Sequence, residues 1–281
     1  MPFARTDRLT FHYREQGAGD GLPLLLAHGN FGSSRWWAPL MALLPDDIHV
    51  VAPDLRGCGL SDKPEDGYSV EEQAADLAAF LDALGWRDFD LAAHASSGAL
   101  AMELALTRPG LLRALILIDS APIEGVHTPL DALMVLEQMK RDRALLEQAL
   151  HLLMPTFDRT EAANGAFFAQ LADDAAQMAP AAFTAVAESL GRWNRFAQAR
   201  QLTLPTLLIW GDQDGLVGRE AMMRTLVAIP GANNLEVLHG VGHSPMIEAP
   251  LTLAEKIVAF LAEDDAGFEA VRASAYGQGE G

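Results

Sequence analysis

Asp90-Leu91-Ala92-Ala93-His94-Ala95-Ser96-Ser97-Gly98-Ala99 joins two kinds of periodicity with almost no chain between them. Before the join, Phe89–Ala93 is a short, mostly apolar run; after it, Ser96–Thr107 carries Leu100, Leu104 and Ala105 at helical spacing. A short apolar run suits a strand buried on both faces of a parallel sheet. The join therefore reads as strand, abrupt turn, helix. Working outward, the same alternation repeats. Arg8–Tyr13 alternates in polarity like an edge strand, and Leu22–Ala27, Ile48–Pro53 and Leu115–Asp119 are further strand-like runs. Val70–Leu84 places Ala74, Leu77, Phe80, Leu81 and Leu84 on one helical face. Such alternation predicts a doubly wound, mostly parallel α/β sheet.

The alternation stops at Asp119-Ser120-Ala121-Pro122. From there to about Arg200 the pattern is helical only. Leu130, Leu133, Met134 and Leu136, with Leu145, Leu146, Leu150, Leu152 and Leu153, suggest two helices. Phe167, Phe168 and Leu171 suggest a third, and Phe183, Val186 and Leu190 a fourth. Strand signals return at Pro205–Trp210 and Leu235–Leu238, followed by helical patterns at Arg219–Ala228 and Pro250–Leu261. The expected organisation is an α/β core over 1–121 and 201–281 with a helical cap over 122–200. The tail Asp264–Gly281 is acidic, then Gly-rich, and is expected to pack loosely.

Composition narrows the partners. Of 281 residues, 20 are Lys or Arg and 38 are Asp or Glu, a formal charge of −18. Nucleic acid and anionic membranes call for a basic surface, so neither is an expected partner. No stretch approaches the ~18 uncharged apolar residues of a membrane helix. Arg5, Asp7, Arg8, Arg14 and Glu15 leave residues 1–17 without a signal-peptide core. The single cysteine, Cys58, has no internal disulfide partner, which suits a reducing cytoplasm. The expected state is a monomer or homodimer. No His/Cys cluster has metal-ligand spacing and no Gly-rich dinucleotide fingerprint follows a first strand, so neither a metal nor a cofactor is expected.

In an open α/β sheet the site lies at the carboxyl ends of the strands. Those ends carry His28-Gly29-Asn30-Phe31-Gly32, Asp54-Leu55-Arg56-Gly57, the segment around His94, Gly211-Asp212-Gln213-Asp214 and Gly240-Val241-Gly242-His243. In this order they resemble the motifs of the α/β-hydrolase superfamily, in its helical-cap branch of esterases, enol-lactonases, C–C bond hydrolases, epoxide hydrolases and haloalkane dehalogenases. The resemblance runs from about Phe11 to Leu261. It implies a nucleophile on the strand-to-helix elbow, an acid after a later strand and a histidine near the C-terminus. Set on the family form G-H-S-x-G-G, Ala93 and His94 take the first two places, Ser97-Gly98 the last two, and the nucleophile position falls on Ala95.

A methyl group attacks no carbonyl, and three explanations stand. The chain is a serine hydrolase whose nucleophile is replaced by Ala95, the reading we favour. Or the register is shifted and Ser97, with Ala95 and Ala99 as small neighbours, is the nucleophile. Or the chain is a natural member that binds without catalysis. The resemblance assigns Asp214 as the acid and His243 as the base, with Asp212 a turn-capping carboxylate and His239 a strand-end residue. It implies an oxyanion hole from the backbone N–H of Asn30 (or Phe31) and of Ser96. His28 and the Asp54–Asp62 loop read as structural, and Cys58 as a packed small residue.

Trp36 and Trp37 divide between pocket and core. Met134, Met154, Phe168 and Trp193 are candidates for the pocket roof, with Met139, Phe167 and Met178, although cap core suits most of them better. Arg192 and Arg195 are candidate carboxylate anchors, with solvation the simpler role. The only tyrosines are Tyr13, Tyr68 and Tyr276, none in the cap, which disfavours epoxide opening. Ser96 stands where a dehalogenase carries Trp. The expected chemistry is acyl transfer from a small apolar ester or lactone to water, with C–C bond hydrolysis or ligand reception as alternatives.

Overall fold

Leu24, Leu25 and Leu26 are fully buried, and alternate residues of their strand enter different cores. A strand covered on both faces needs no polar side, which is why these runs are apolar throughout. The computed structural model describes residues 2–17 and 22–262. The expectation for the tail from Asp264 onward lies outside them. Eight strands form one sheet: β1 (Phe3–Arg5), β2 (Thr10–Gln16), β3 (Leu22–Ala27), β4 (Ile48–Pro53), β5 (Phe89–His94), β6 (Leu112–Ile118), β7 (Thr206–Gly211) and β8 (Ala232–Leu238). Their order is β1-β2-β4-β3-β5-β6-β7-β8. β1 and β2 pair antiparallel at one edge, β2 runs antiparallel to β4, and the remaining pairs are parallel.

Among the described residues nine α-helices with named bounds accompany the sheet. They are α1 (Ala38–Met41), α2 (Val70–Leu84), α3 (Ser97–Thr107), α4 (Leu130–Met139), α5 (Arg143–Leu153), α6 (Ala162–Ala176), α7 (Ala182–Arg192), α8 (Arg219–Ala228) and α9 (Pro245–Glu248). A further helix, α10, covers 250–262. The α/β-hydrolase fold expected from the sequence is thus present. Leu25, Leu91, Leu115, Leu117 and Leu208 pack with Leu77 and Leu81 of α2 and Met102 of α3. Leu24, Leu26, Ile116, Ile118 and Ile209 pack on the other face with Trp36, Trp37, Leu253 and Ile257. At about 25 cal/mol per Å² of apolar surface, such two-sided burial is the main term holding the sheet.

α4–α7 lie between β6 and β7, matching the four helical patterns in number and order. One expectation about them is wrong. On α4, Leu130, Met134 and Val135 are exposed, Met134 by 66%, and Met139 is the helix's buried residue. Met134 belongs neither to a pocket roof nor to the cap's core. The antiparallel edge was also read differently: β2 begins at Thr10 and continues to Gln16, and β1 went unseen because three residues carry too little pattern.

Candidate active site

Ala95 has φ 53°, left-handed backbone that an alanine rarely adopts. It follows β5 directly; its N–H bonds the Ile118 carbonyl (3.1 Å), and its own carbonyl accepts from Gly98 (3.1 Å) and Ala121 (2.9 Å). The chain must reverse here within a few residues, so small neighbours are mandatory. A Cβ on Gly98 would lie 1.8 Å from Ser120 Oγ, and one on Gly29 would lie 2.8 Å from the Ala95 Cβ. Strain of this kind is held in place by surrounding structure and recurs at functional turns.

Ser97, the other candidate in the sequence, has its hydroxyl engaged in the fold. Ser97 is fully buried, its Oγ 2.7 Å from the Ala27 carbonyl and 2.8 Å from that of His94. It pins the first turn of α3 to β3 and β5. Ser96 is the N-cap residue of α3 and partly exposed.

His243 Nδ1–H donates to Asp214 Oδ2 at 2.8 Å. Both side chains are buried, that of Asp214 completely. Burial alone would raise the Asp214 carboxyl. The His243 bond and the N–H groups of Leu216 (2.7 Å) and Val217 (3.1 Å) on Oδ1 outweigh it and hold the group below the usual carboxylate range. The other ring nitrogen of His243 has no hydrogen bond among the described residues. Asp212 instead accepts from His239 Nδ1 (2.9 Å) and Gly240 N–H (2.8 Å) at the surface. Asp214, not Asp212, is the carboxylate that touches His243.

His94 locks the histidine loop from below. Its Nε2–H donates to the His243 carbonyl at 2.7 Å, and the two rings lie 4.8 Å apart. His28 ties the neighbouring loop: its Nδ1–H donates to the Gly29 carbonyl (2.8 Å) and its Nε2 accepts from Leu55 N–H (3.0 Å). Burial lowers its pKa, so it acts as a neutral brace. In the Asp54–Asp62 loop, Asp54 accepts from Ser34 N–H (2.6 Å), Leu60 N–H (2.8 Å) and His12 Nδ1 (2.7 Å), while Arg56 forks onto Asp76. Burial pushes the Cys58 thiol up to about 12, which leaves it inert.

Asn30 and Phe31 divide. The Asn30 N–H donates to Ser96 Oγ at 2.9 Å, so it is engaged. Phe31, at φ 64°, turns the loop back. Its N–H and that of Ser96 have no hydrogen-bond partner among the described residues. The free pair is therefore Phe31 and Ser96. A cavity of about 20 Å³, room for roughly one water, lies beside the elbow between His28, Asn30 and Ser96 on one side and Ala182, Val186 and Leu190 of α7 on the other.

Trp36 and Trp37 are both buried in the cluster that contains Met154 and Phe168, and neither indole N–H has a partner among the described residues. Trp36 lies against His94, ring centroids 6.1 Å apart. Trp193 is a correction. It is buried in the opposite cluster, and its Nε1–H donates to Glu103 of α3 (2.9 Å), so it anchors the end of the helical insertion. Arg195 pairs with the same Glu103, and Arg192 is exposed beside Glu188. Neither arginine faces the elbow's partners.

The sequence reading passed over Asp119. It follows β6 directly, is fully buried, and has φ 43°. One side-chain donor atom each from Asp119, Asp214 and His243 lies within 4.8 Å of the others. Linear spacing hides this trio because its members follow three different strands. Two carboxylates and an imidazole are a plausible donor set for a hard cation in the abstract. Here the His243–Asp214 bond already occupies the facing atoms.

A family model described as "Alpha/beta hydrolase family" matches residues 24–256. The chain belongs to the α/β-hydrolase family. It is 33% identical over 249 residues to a protein of Pseudomonas savastanoi pv. phaseolicola (strain 1448A / Race 6) provisionally named carbamate hydrolase RutD, covering 85% of this chain and 93% of that one. It is 29% identical over 244 residues to 2-(acetamidomethylene)succinate hydrolase of Mesorhizobium japonicum, covering 81% and 86%. The crystal structure of the enol-lactonase from Burkholderia xenovorans LB400 superposes with a TM-score of 0.81 at 19% identity, covering 93% and 100%, a likeness of fold. Relatives of this α/β hydrolase thus carry hydrolase names. Among the described residues no helix is long and apolar enough to cross a membrane.

Proposed function

We propose that this chain is a serine-hydrolase scaffold for carboxylic esters or lactones with apolar acyl or aromatic groups, in which Ala95 holds the nucleophile's seat. One observation carries the reading: Ala95 stands on the strained elbow, the adjacent His94 holds the loop of a His243 bonded to Asp214, and the backbone N–H groups of Phe31 and Ser96 are unpartnered among the described residues. In this reading His243 takes the proton of a hydroxyl at position 95 and returns it to the leaving group. Asp214 fixes the ring's tautomer and stabilises the imidazolium. The Phe31 and Ser96 N–H groups receive the oxyanion, each worth ~3 kcal/mol in the transition state. One of Trp36 and Trp37, with Met154 and Phe168, supplies apolar lining, and residues 122–200 act as the cap. With a methyl at 95 the chain binds such substrates and does not form an acyl-enzyme.

A second reading, a receptor that keeps the pocket without the chemistry, rests on Ala95 itself. Hydrolysis assays on Ala95→Ser separate the two. Aryl esters, acyl lactones and vinylogous diketones span the reactions at issue, the last reporting C–C bond cleavage. Loss of a triad serine typically costs about 10⁶ in turnover, so the substitution should raise hydrolysis at least ~10³-fold. Adding His243→Ala should remove the gain. A folded Ala95→Ser protein that binds these compounds and hydrolyses none favours the receptor.

A further inference from the structure

Asp119 brings a second carboxyl to the acid–base pair, and its hydrogen bonding is incomplete. Oδ1 accepts the Gly211 N–H at 2.9 Å. Oδ2 is buried and has no partner among the described residues when the group is written as a carboxylate. A carboxylate oxygen of Asp119 lies within 4.8 Å of ligand atoms of both Asp214 and His243. Two carboxylates cannot both be ionised at such range in a dry interior without a large penalty. One proton shared between them removes the penalty and gives Oδ2 something to do.

The donors decide which carboxyl holds the proton. Asp214 accepts three hydrogen bonds, from His243, Leu216 and Val217. Asp119 accepts one, from Gly211. Donors stabilise the charged form, so the charge settles on Asp214 and the proton on Asp119.

We propose that Asp119 is a positioning residue: it is a neutral carboxylic acid that donates from Oδ2 to the Asp214 carboxylate and holds it against His243 Nδ1. The inference rests on the reading of Asp214 and His243 as the acid–base pair. The charged and titratable groups around Asp119 agree with it. Burial, Asp214 and, more weakly, Glu248 of α9 all push the Asp119 carboxyl well above the ordinary range, and only the Gly211 N–H opposes them. His243 faces the pair from the loop after β8. The backbone adds a geometric argument: Asp119 N–H bonds the Ile209 carbonyl (2.9 Å), so β7 is gripped just before the turn that carries Asp214. A neutral donor also keeps the net charge beside His243 at one negative, not two.

The test uses the full chain as it stands, without turnover. Infrared difference spectra of Asp119→Asn against the parent at pH 7 should show loss of one protonated-carboxyl C=O band. Proton NMR of the parent should show a downfield His243 Hδ1 resonance, retained in Asp119→Asn, whose amide can donate in the acid's place. In Asp119→Ala, which cannot donate, that resonance should shift or broaden. Absence of the carboxyl band at pH 7, or an Hδ1 resonance that Asp119→Ala leaves unchanged, means that Asp119 does not donate to Asp214 and overturns the proposal. Asp214→Asn keeps the underlying reading separate. If the Hδ1 resonance is unchanged in that variant, the Asp214–His243 assignment fails, whatever the infrared spectrum shows.

Discussion

His94 spends a buried imidazole on one task, the bond from its Nε2–H to the His243 carbonyl. Burial, with the nearby His243 ring adding to it, lowers its pKa to about 3. The unfolded chain protonates this residue near 6.5. Below that pH the unfolded state binds a proton that the folded state refuses. The stability His94 contributes is therefore present above ~6.5 and lost as pH falls toward 3. His94→Gln removes the titration and keeps a donor of similar reach. On acidification from pH 7 to 5 the parent should lose about 2 kcal/mol more than this variant, at 1.36 kcal/mol per pH unit, as read by urea denaturation. Parallel losses would mean that His94 does not titrate as its burial requires. Ser97 makes the complementary point at this scale. In sequence it competes with Ala95 for the elbow; its two carbonyl contacts settle that it is a structural hydroxyl.

Among elements, the β5–α3 join was legible because it carries its own physics: a strand, then small residues where backbones meet, then a helix. Val70–Leu84 was read to the residue, since Ser69 caps its start by accepting the Glu72 N–H (3.1 Å) and Gly85 ends it at φ 69°. The helical insertion was legible in number but not in facing. Leu130, Leu133, Met134 and Leu136 look like one stripe in sequence, and only tertiary packing reveals that Leu130 and Met134 are exposed while α4 turns Met139 inward. Trp193 misled in the same way, because a large aromatic near a pocket motif does not announce which side of the sheet it joins. Asp119 was missed because its partners are distant in sequence. These placements give a test by contrast. Met154→Ala should cost about 2–5 kcal/mol, as for a buried large-to-small change. Met134→Ser should stay within about 0.5 kcal/mol of the parent. Thermal or urea unfolding of both variants decides it; equal costs would mean that α4 is packed differently.

At the scale of the molecule, the sheet brings the carboxyl ends of β3, β5, β6, β7 and β8 to one rim, and every residue of the candidate site hangs from that rim. The −18 charge bears on partners and leaves the chemistry open. On the proposed reading, a site assembled from five strand ends is rigid enough that replacing one hydroxyl by a methyl leaves the acid, base and donors in place. That is the central claim, and covalent labelling tests it directly. Ala95→Ser should react with an aryl organophosphonate to give one adduct per chain, mapped to residue 95 by mass spectrometry. The parent should take no label, and Ala95→Ser with His243→Ala should react at least ~10³-fold more slowly. An unlabelled but folded Ala95→Ser protein, or a parent labelled at Ser96 or Ser97, would contradict the placement of Ala95 in the nucleophile's seat.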